Sequence, residues 1–151
     1  MTHVPKKRVK LEPFRPEHLD ELFLQPAQAY MAKQFTTEYR RSVWSQGRSW
    51  TVRSPNGAVL VCSGAAIRWP GTAVVWSLLD IRASPWLLEL TRLGNVCLDF
   101  VNHFVPRLET MVETPFENGH QWVKLLGFQR IGTMHKFACD GRDFDLYERI
   151  R

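Results

Sequence analysis

Three titratable side chains stand at or near the ends of apolar segments, in positions from which they could accept a proton. Asp80 lies near the end of a long apolar run, Glu113 ends a strand-like segment, and His120 lies on a short amphipathic segment. A general base is a carboxylate or imidazole that reaches its proton directly or through one water molecule. The sequence therefore offers Asp80, Glu113 and His120 as candidate catalytic residues. Each also has a non-catalytic interpretation, because Asp80 could cap a loop, Glu113 could face solvent and His120 could be structural or exposed.

The three cysteines form neither a metal-binding nor a disulfide pattern. Cys62, Cys97 and Cys139 are widely separated, odd in number, and have neither CxxC spacing nor a neighbouring pair of histidines. Zinc sites and small disulfide-stabilised folds both need a characteristic cysteine spacing. We therefore expect three reduced thiols, no metal, and a cytoplasmic protein.

The composition is that of an ordinary globular chain with an excess of positive charge. Hydrophobic residues make up 44% of the 151 positions and charged residues 23%. The longest apolar runs are far shorter than the roughly 20 residues that cross a bilayer, so no membrane partner is expected. The net charge of +5 is compatible with an acidic partner or a phosphate-rich cofactor and does not select between them. The basic cluster at Lys6, Lys7, Arg8 and Lys10 is interpreted as a solvated face, with a nucleic-acid arm as the alternative.

Seven segments have the apolar pattern of β-strands. Residues 8–14 alternate between apolar and polar side chains, whereas 72–81 is a nearly continuous apolar run, typical of a strand covered on both faces. The sequence Ser54-Pro55-Asn56-Gly57 predicts the turn of a hairpin. The predicted strands are 8–14, about 50–53, about 58–67, 72–81, 107–113, about 128–138 and 143–149.

Four segments have helical patterns. A short helix is predicted from Pro16 to near Pro26, and a second over 27–45, with apolar residues recurring every four positions and Gly47 as its stop. A third occupies at least 90–104, and a fourth, 117–126, is stopped by Gly127. Trp122, Leu125 and Leu126 are expected to face inward. The order β α α β β β α β α β β predicts a single α/β domain of about seven strands with helices on both faces.

The end of the chain carries a motif of a known family. A short helix ends in Leu126-Gly127-Phe128, with Trp122 one turn earlier, and two strands around Gly141 follow, the last containing LYER at 146–149. This ending, together with the order of elements, resembles the GCN5-related N-acetyltransferases (GNAT), and the resemblance spans essentially the whole chain. Within that family, the chain more specifically resembles the small acetyltransferase-like proteins of tailed bacteriophages, some of which are internal virion proteins.

The resemblance implies a single domain over 1–151, a mixed and mostly antiparallel sheet, and acetyl-CoA as cofactor. In this family the strands here at 72–81 and 107–113 diverge, and the amide-rich pantetheine arm pairs with backbone groups that would otherwise lack partners. The pyrophosphate lies at the N-terminus of the following helix. A backbone N–H near Leu79 or Asp80 would stabilise the oxyanion. The implied cofactor-binding residues are Leu79, Ile81, Arg82, Arg92, Gly94 and Asn95.

Two family features are degraded. The phosphate-binding loop, Gln/Arg-x-x-Gly-x-Gly/Ala, corresponds to Thr91–Val96, where only Gly94 is retained. A second register begins at Arg82 and contains no glycine. Many family members also have a tyrosine as general acid five residues before the phenylalanine of the Gly-Phe pair, and this position is Val123 here. Tyr147 is interpreted as a packing residue of the last strand.

Three functions remain open at this point. The resemblance favours an acetyl-CoA-dependent N-acetyltransferase that modifies an amine on a small molecule or a protein. The degraded motifs favour a non-catalytic phage virion or host-interaction protein, which would have a phage or host partner and lie in the host cytoplasm or the virion. A basic nucleic-acid-binding domain is the least expected. A homodimer through exposed strand edges is compatible with each.

Overall fold

A computed structural model describes residues 8–45 and 47–151. Seven strands form one mixed sheet in the order β1-β2-β3-β4-β5-β7-β6. The predicted fold class, a mixed and mostly antiparallel sheet of about seven strands with helices, is confirmed. Lys6 and Lys7 of the basic cluster lie outside the described residues. The strands are β1 (Lys10–Pro13), β2 (Gly47–Arg53), β3 (Val59–Trp69), β4 (Thr72–Leu79), β5 (Arg107–Glu113), β6 (Gln129–Met134) and β7 (Phe144–Ile150).

The helical segments are of two kinds. The α-helices are α1 (Thr37–Ser45), α2 (Leu87–Phe104) and α3 (Glu117–Leu125), and 3₁₀ helices span Pro16–Glu21, Pro26–Gln34 and Ile81–Trp86. The 3₁₀ helix at Ile81–Trp86 leads directly into α2. The helix α2 runs from Leu87 to Phe104 and so contains the whole of the predicted segment, at least 90–104.

The prediction of one helix over 27–45 is wrong. The 3₁₀ helix ends at Gln34, and Phe35 adopts φ −77° and ψ 49°, outside the helical region. The hydroxyl of Thr36 then accepts a hydrogen bond from the Tyr39 N–H at 3.2 Å. A side-chain cap of this kind begins a new helix, and four-residue apolar spacing does not reveal it.

Two smaller expectations are also corrected. Leu125 is 67% exposed, so of the three residues expected to face inward Leu126 alone is buried and Trp122 is half-buried. The last hairpin is shorter than predicted, because Lys136 has φ +52° and ends the extended conformation soon after Met134. Gly127 adopts φ +81° directly after α3, as its role as helix stop requires.

The chain divides into two compact units, and the first comprises Met1–Gly64 and Ser77–Glu89. The β2–β3 hairpin closes as predicted, with the Ser54 N–H donating to the Ala58 carbonyl at 2.8 Å. β1 pairs antiparallel with β2 along its whole length. The buried apolar residues of this unit include Phe14, Leu19, Val59, Leu60, Cys62 and Ala83.

The second unit comprises Ala65–Trp76 and Leu90–Arg151. β5 pairs antiparallel with β7 over its full length, from Arg107 opposite Ile150 to Glu113 opposite Phe144. β6 pairs with the other edge of β7, with an irregularity between Arg130 and Gly132. The buried residues here include Leu98, Val101, Leu108, Val112, Val123, Phe128 and Tyr147.

Candidate active site

The parallel ladder between β4 and β5 is short. Its register covers three residue pairs, from Thr72 opposite Arg107 to Val74 opposite Glu109. β4 continues to Leu79 and β5 to Glu113. Directly after the last pair, the hydroxyl of Thr110 donates to the Val75 carbonyl at 2.9 Å. A side-chain donor therefore serves a carbonyl of β4 at the point where the backbone ladder ends.

Beyond this point, from Ser77 onward, β4 belongs to the first unit, and a side chain of the same unit bonds its backbone. The Gln28 amide donates from Nε2 to the Ser77 carbonyl at 2.8 Å. Its Oε1 accepts from the Leu79 N–H at 3.0 Å. Successive residues of a strand direct their backbone groups to opposite sides, and the Asp80 N–H donates to Leu60 of β3. Ser77 and Leu79 therefore present these groups to the side of β4 opposite β3.

The segment before Gln28 extends this pairing. Leu24 forms an isolated antiparallel bridge with Asp80. The Gln25 N–H donates to the Leu79 carbonyl at 3.2 Å, and the Ile81 N–H donates to the Phe23 carbonyl at 2.8 Å. The backbone N–H groups of the expected cofactor residues Leu79 and Ile81 are thus bonded within the chain.

Asp80 is fully buried and is surrounded by donors. Its carboxylate accepts four hydrogen bonds, from the Phe23 N–H and from the N–H, Nε and Nη2 of Arg82, at 2.7 to 2.8 Å. Burial acts to raise the pKa of Asp80, but the Arg82 side chain and the two backbone donors outweigh it, so the pKa is lowered. A carboxylate held in this way is a weak proton acceptor. Its backbone N–H, bonded to Leu60, is also committed.

Arg82 pairs with Asp80 and borders a cavity. Its guanidinium bonds both carboxylate oxygens and lies over the Phe23 ring, with Cζ 5.0 Å from the ring centroid. Two of its three guanidinium nitrogens are therefore committed to a structural ion pair. The adjoining cavity has a volume of about 340 Å³, and its walls include Leu60 and Trp86.

Glu113 and His120, both in the second unit, differ in how far their polar atoms are engaged. The Glu113 carboxylate accepts from Arg142 Nη1 at 3.2 Å through one oxygen. His120 is buried, with Nε2 2.8 Å from the Thr114 carbonyl and Nδ1 2.6 Å from the Tyr147 hydroxyl. Because a carbonyl only accepts, Nε2 carries a proton, and in the neutral ring Nδ1 accepts from the tyrosine. Both oxygens of Asp80 and both ring nitrogens of His120 are hydrogen-bonded. Among the described residues, Glu113 is therefore the candidate with a carboxylate oxygen that could accept a proton.

The segment Thr91–Val96, which aligns with the family's phosphate loop, lies in the helix predicted over 90–104. These residues lie inside α2, where the backbone N–H groups bond to carbonyls one turn earlier. Arg92 and Asn95 accordingly project from the body of a helix instead of flanking a loop. Gly94 has a packing role, since a Cβ at this position would lie 2.9 Å from Cδ2 of Leu126.

Two side-chain contacts join α2 to the end of α3. Asn95 Nδ2 donates to the Leu125 carbonyl at 3.2 Å. Trp122 Nε1 donates to the Thr91 hydroxyl at 3.0 Å. Thr91 and Asn95, from the segment aligned with the phosphate loop, therefore bond the helix that ends in the Leu-Gly-Phe motif.

Sequence reasoning missed Gln28 and Thr110. Gln28 lay inside a segment predicted as a regular helix, and nothing in its neighbours indicates that its side chain bonds a strand. Thr110 is one polar residue in the strand Arg107–Glu113, and its neighbours do not indicate that its hydroxyl bonds another strand. The signal for both is tertiary, because each bonds a β4 carbonyl distant in sequence. Within the described ranges no group of three His, Cys, Asp or Glu side chains could hold a metal ion, and no helix is long and apolar enough to cross a membrane.

Comparisons with known proteins give a fold without a sequence match. No family model and no curated protein matches the sequence. A GNAT-family acetyltransferase from Bacillus anthracis aligns with a TM-score of 0.72 at 8% identity, covering 96% of both chains. The ribosomal-protein-S18-alanine N-acetyltransferase from Escherichia coli aligns with a TM-score of 0.70 at 13% identity, covering 94% of this chain and 93% of that one.

A third solved structure gives the same result. The GNAT-family acetyltransferase from Streptococcus pneumoniae aligns with a TM-score of 0.67 at 14% identity, covering 95% of this chain and 100% of that one. Identities this low bear on architecture and leave the chemistry open. The chain has the fold of the GNAT-family acetyltransferases.

Proposed function

We propose that this protein is an acetyl-CoA-dependent N-acetyltransferase that acts on an amine of a small molecule or a protein. The observation that carries the proposal is the short β4–β5 ladder, which ends after three residue pairs while β4 continues to Leu79. In a sheet of this fold, a central strand with backbone groups beyond its ladder is where an amide-bearing ligand can pair.

The donors and acceptors of β4 fit the pantetheine arm of coenzyme A. The Ser77 carbonyl and the Leu79 N–H already hold an amide, that of Gln28, at hydrogen-bonding distances of 2.8 and 3.0 Å. A pantetheine amide offers the same pair of groups, one N–H and one carbonyl. Acetyl-CoA, when bound, would supply the acetyl group as a thioester.

Five of the candidate residues then have distinct roles. Leu79 would contribute its backbone N–H as a donor to a carbonyl oxygen, and Glu113 would be the general base, acting through water. Arg82 has one terminal nitrogen left for a phosphate beside the cavity that it borders. We assign Asp80 and His120 to support: the first holds Arg82 and the second is fixed by Tyr147 and Thr114.

Calorimetry followed by labelling tests the proposal. Titration with acetyl-CoA should give measurable heat, and incubation with radiolabelled acetyl-CoA and candidate amines should give acetylated product. The substitution Glu113→Gln should lower kcat by about 100-fold, the low end of general-base effects, and leave acetyl-CoA affinity unchanged. Glu117→Gln, at an exposed position on α3, is the matched control. Absence of binding at millimolar acetyl-CoA would rule out the proposal.

A second candidate function is a non-catalytic interaction protein with the same fold, such as a virion or host-interaction protein. It is favoured by the helical conformation of Thr91–Val96, which leaves no glycine-rich loop to approach a phosphate. Its expected signature is capture of a protein partner with no acetylated product under any condition that shows cofactor binding.

A further inference from the structure

The Gln28 side chain forms on β4 the two bonds that one amide group of a ligand would form. It donates one N–H to the Ser77 carbonyl and accepts from the Leu79 N–H, two residues along the same strand. A neighbouring strand satisfies two such groups in the same way, with the carbonyl and N–H that flank one of its own side chains. Gln28 therefore stands in for a strand residue on this part of β4.

We propose that Gln28 is a gate: it closes the amide-binding site of β4, and the pantetheine arm of coenzyme A binds by displacing it. This inference rests on the proposed function. Displacement of Gln28 leaves no hydrogen-bonding group unpaired. The Ser77 carbonyl and the Leu79 N–H bond the ligand in place of Gln28, and the Gln28 amide bonds water. No covalent step is involved.

The segment that carries Gln28 is weakly held by its own structure and packing. Pro26–Gln34 is a 3₁₀ helix of nine residues, and runs beyond about four residues are uncommon because the hydrogen bonds have poor geometry. None of its side chains that the structure describes is buried, and Ala27, Ala29 and Ala32 are too small to anchor it. Segments with few buried apolar contacts open at a low free-energy cost.

Three hydrogen bonds tie the described part of this segment to β4. Two are made by the Gln28 amide, and the third, just before the helix, runs from the Gln25 N–H to the Leu79 carbonyl. The Gln28 side chain is half-buried, so its amide can pass to water without crossing the core. Release of Gln28 would leave Gln25 in place and expose the Ser77 carbonyl and Leu79 N–H.

Binding of coenzyme A to three variants tests the gate. Gln28→Ala removes the competing amide, so the apparent Kd for coenzyme A should fall about three- to tenfold, as expected when a closed state no longer has to be opened. Gln28→Glu keeps the acceptor for Leu79 and loses the donor to Ser77, so its Kd should lie between those of Gln28→Ala and wild type. Gln25→Ala is the matched control, because Gln25 contributes only its backbone to the contact.

Hydrogen exchange at the Leu79 amide supplies a readout that does not need tight binding. In Gln28→Ala this amide should exchange at least about tenfold faster than in wild type, since its acceptor is gone. Saturating coenzyme A should restore the protection. Circular dichroism and hydrogen exchange at other core amides establish that the variants are folded. If Gln28→Ala does not fold, Gln28→Glu replaces it in the experiment.

The outcomes separate the two proposals. Tighter binding by Gln28→Ala, with Leu79 protection lost and then restored by coenzyme A, supports the gate. Equal affinity in wild type and both Gln28 variants overturns the gate and leaves the transferase proposal standing. Absence of coenzyme A binding in all variants, with faster exchange at Leu79 in Gln28→Ala, overturns the cofactor itself and reduces Gln28 to a structural contact.

Discussion

At the scale of single residues, the sequence identified Asp80 as a buried-strand carboxylate of interest but did not identify its role. Its place after an apolar strand suggested a base. The structure surrounds its carboxylate with four N–H donors, three of them from Arg82. Sequence gives the position of a carboxylate along a strand, but it does not show that Arg82 folds back onto it or that Phe23, 57 residues away, adds a fourth donor.

Replacing Asp80 with asparagine should therefore destabilise the fold. An asparagine amide is uncharged and cannot neutralise Arg82. The loss of charged hydrogen bonds at this buried site should lower the free energy of unfolding by about 2–3 kcal/mol. Urea unfolding of Asp80→Asn against wild type measures this difference. Asp20→Asn breaks an exposed pair with Arg40 and should cost about 0.5 kcal/mol or less. Equal effects of the two substitutions would contradict a structural role for Asp80.

The contribution of Asp80 should disappear in acid. Because its folded-state pKa is lowered from the ordinary 3.8, the stabilisation is complete above that value and is lost as the pH falls through the folded-state pKa. The difference in unfolding free energy between wild type and Asp80→Asn should be constant from about pH 7 to 5 and shrink below it. A difference that grows as the pH falls would mean that the carboxyl pKa is raised.

At the scale of elements, the strands were predicted more accurately than the helices. Strand Arg107–Glu113 matches its prediction at both ends. The break between Pro26–Gln34 and Thr37–Ser45 depends on the Thr36 cap, and the extent of the β4–β5 ladder depends on pairing across 35 positions. Neither leaves a periodic signal in the sequence.

The contact between α2 and the residue that follows α3 gives a prediction of its own. Gly94→Ala should bring little or no net stabilisation although alanine favours helix, because the new methyl group would lie 2.9 Å from Cδ2 of the buried Leu126 and that side chain must shift. In a Leu126→Ala background the same change should stabilise by about 0.5–1 kcal/mol, the helix-propensity gain. A double-mutant cycle by chemical unfolding measures the coupling, expected to be about 1 kcal/mol or more. Additive effects would show that Leu126 rotates away freely.

At the scale of the whole molecule, Cys62 reports how the first compact unit opens. Burial raises the pKa of Cys62 to about 12, whereas Cys139 is exposed. Near pH 8 a thiol reagent should therefore label Cys139 at once and Cys62 only when the first unit opens. The Cys62 labelling rate should rise with denaturant, and Cys139→Ser should remove the fast phase. Labelling of Cys62 in the fast phase would show that this core is not closed in solution.

The occupied edge of β4 also affects how ligands of this protein should be sought. A compound that binds there must first break the Gln28 bonds, so its measured affinity understates the quality of its own contacts by the free energy of opening. In a screen of a chemical library against wild type, weak binders of this site would therefore fall below the detection limit. Screening Gln28→Ala in parallel would recover them, and compounds found only with that variant would identify the chemistry that this strand recognises.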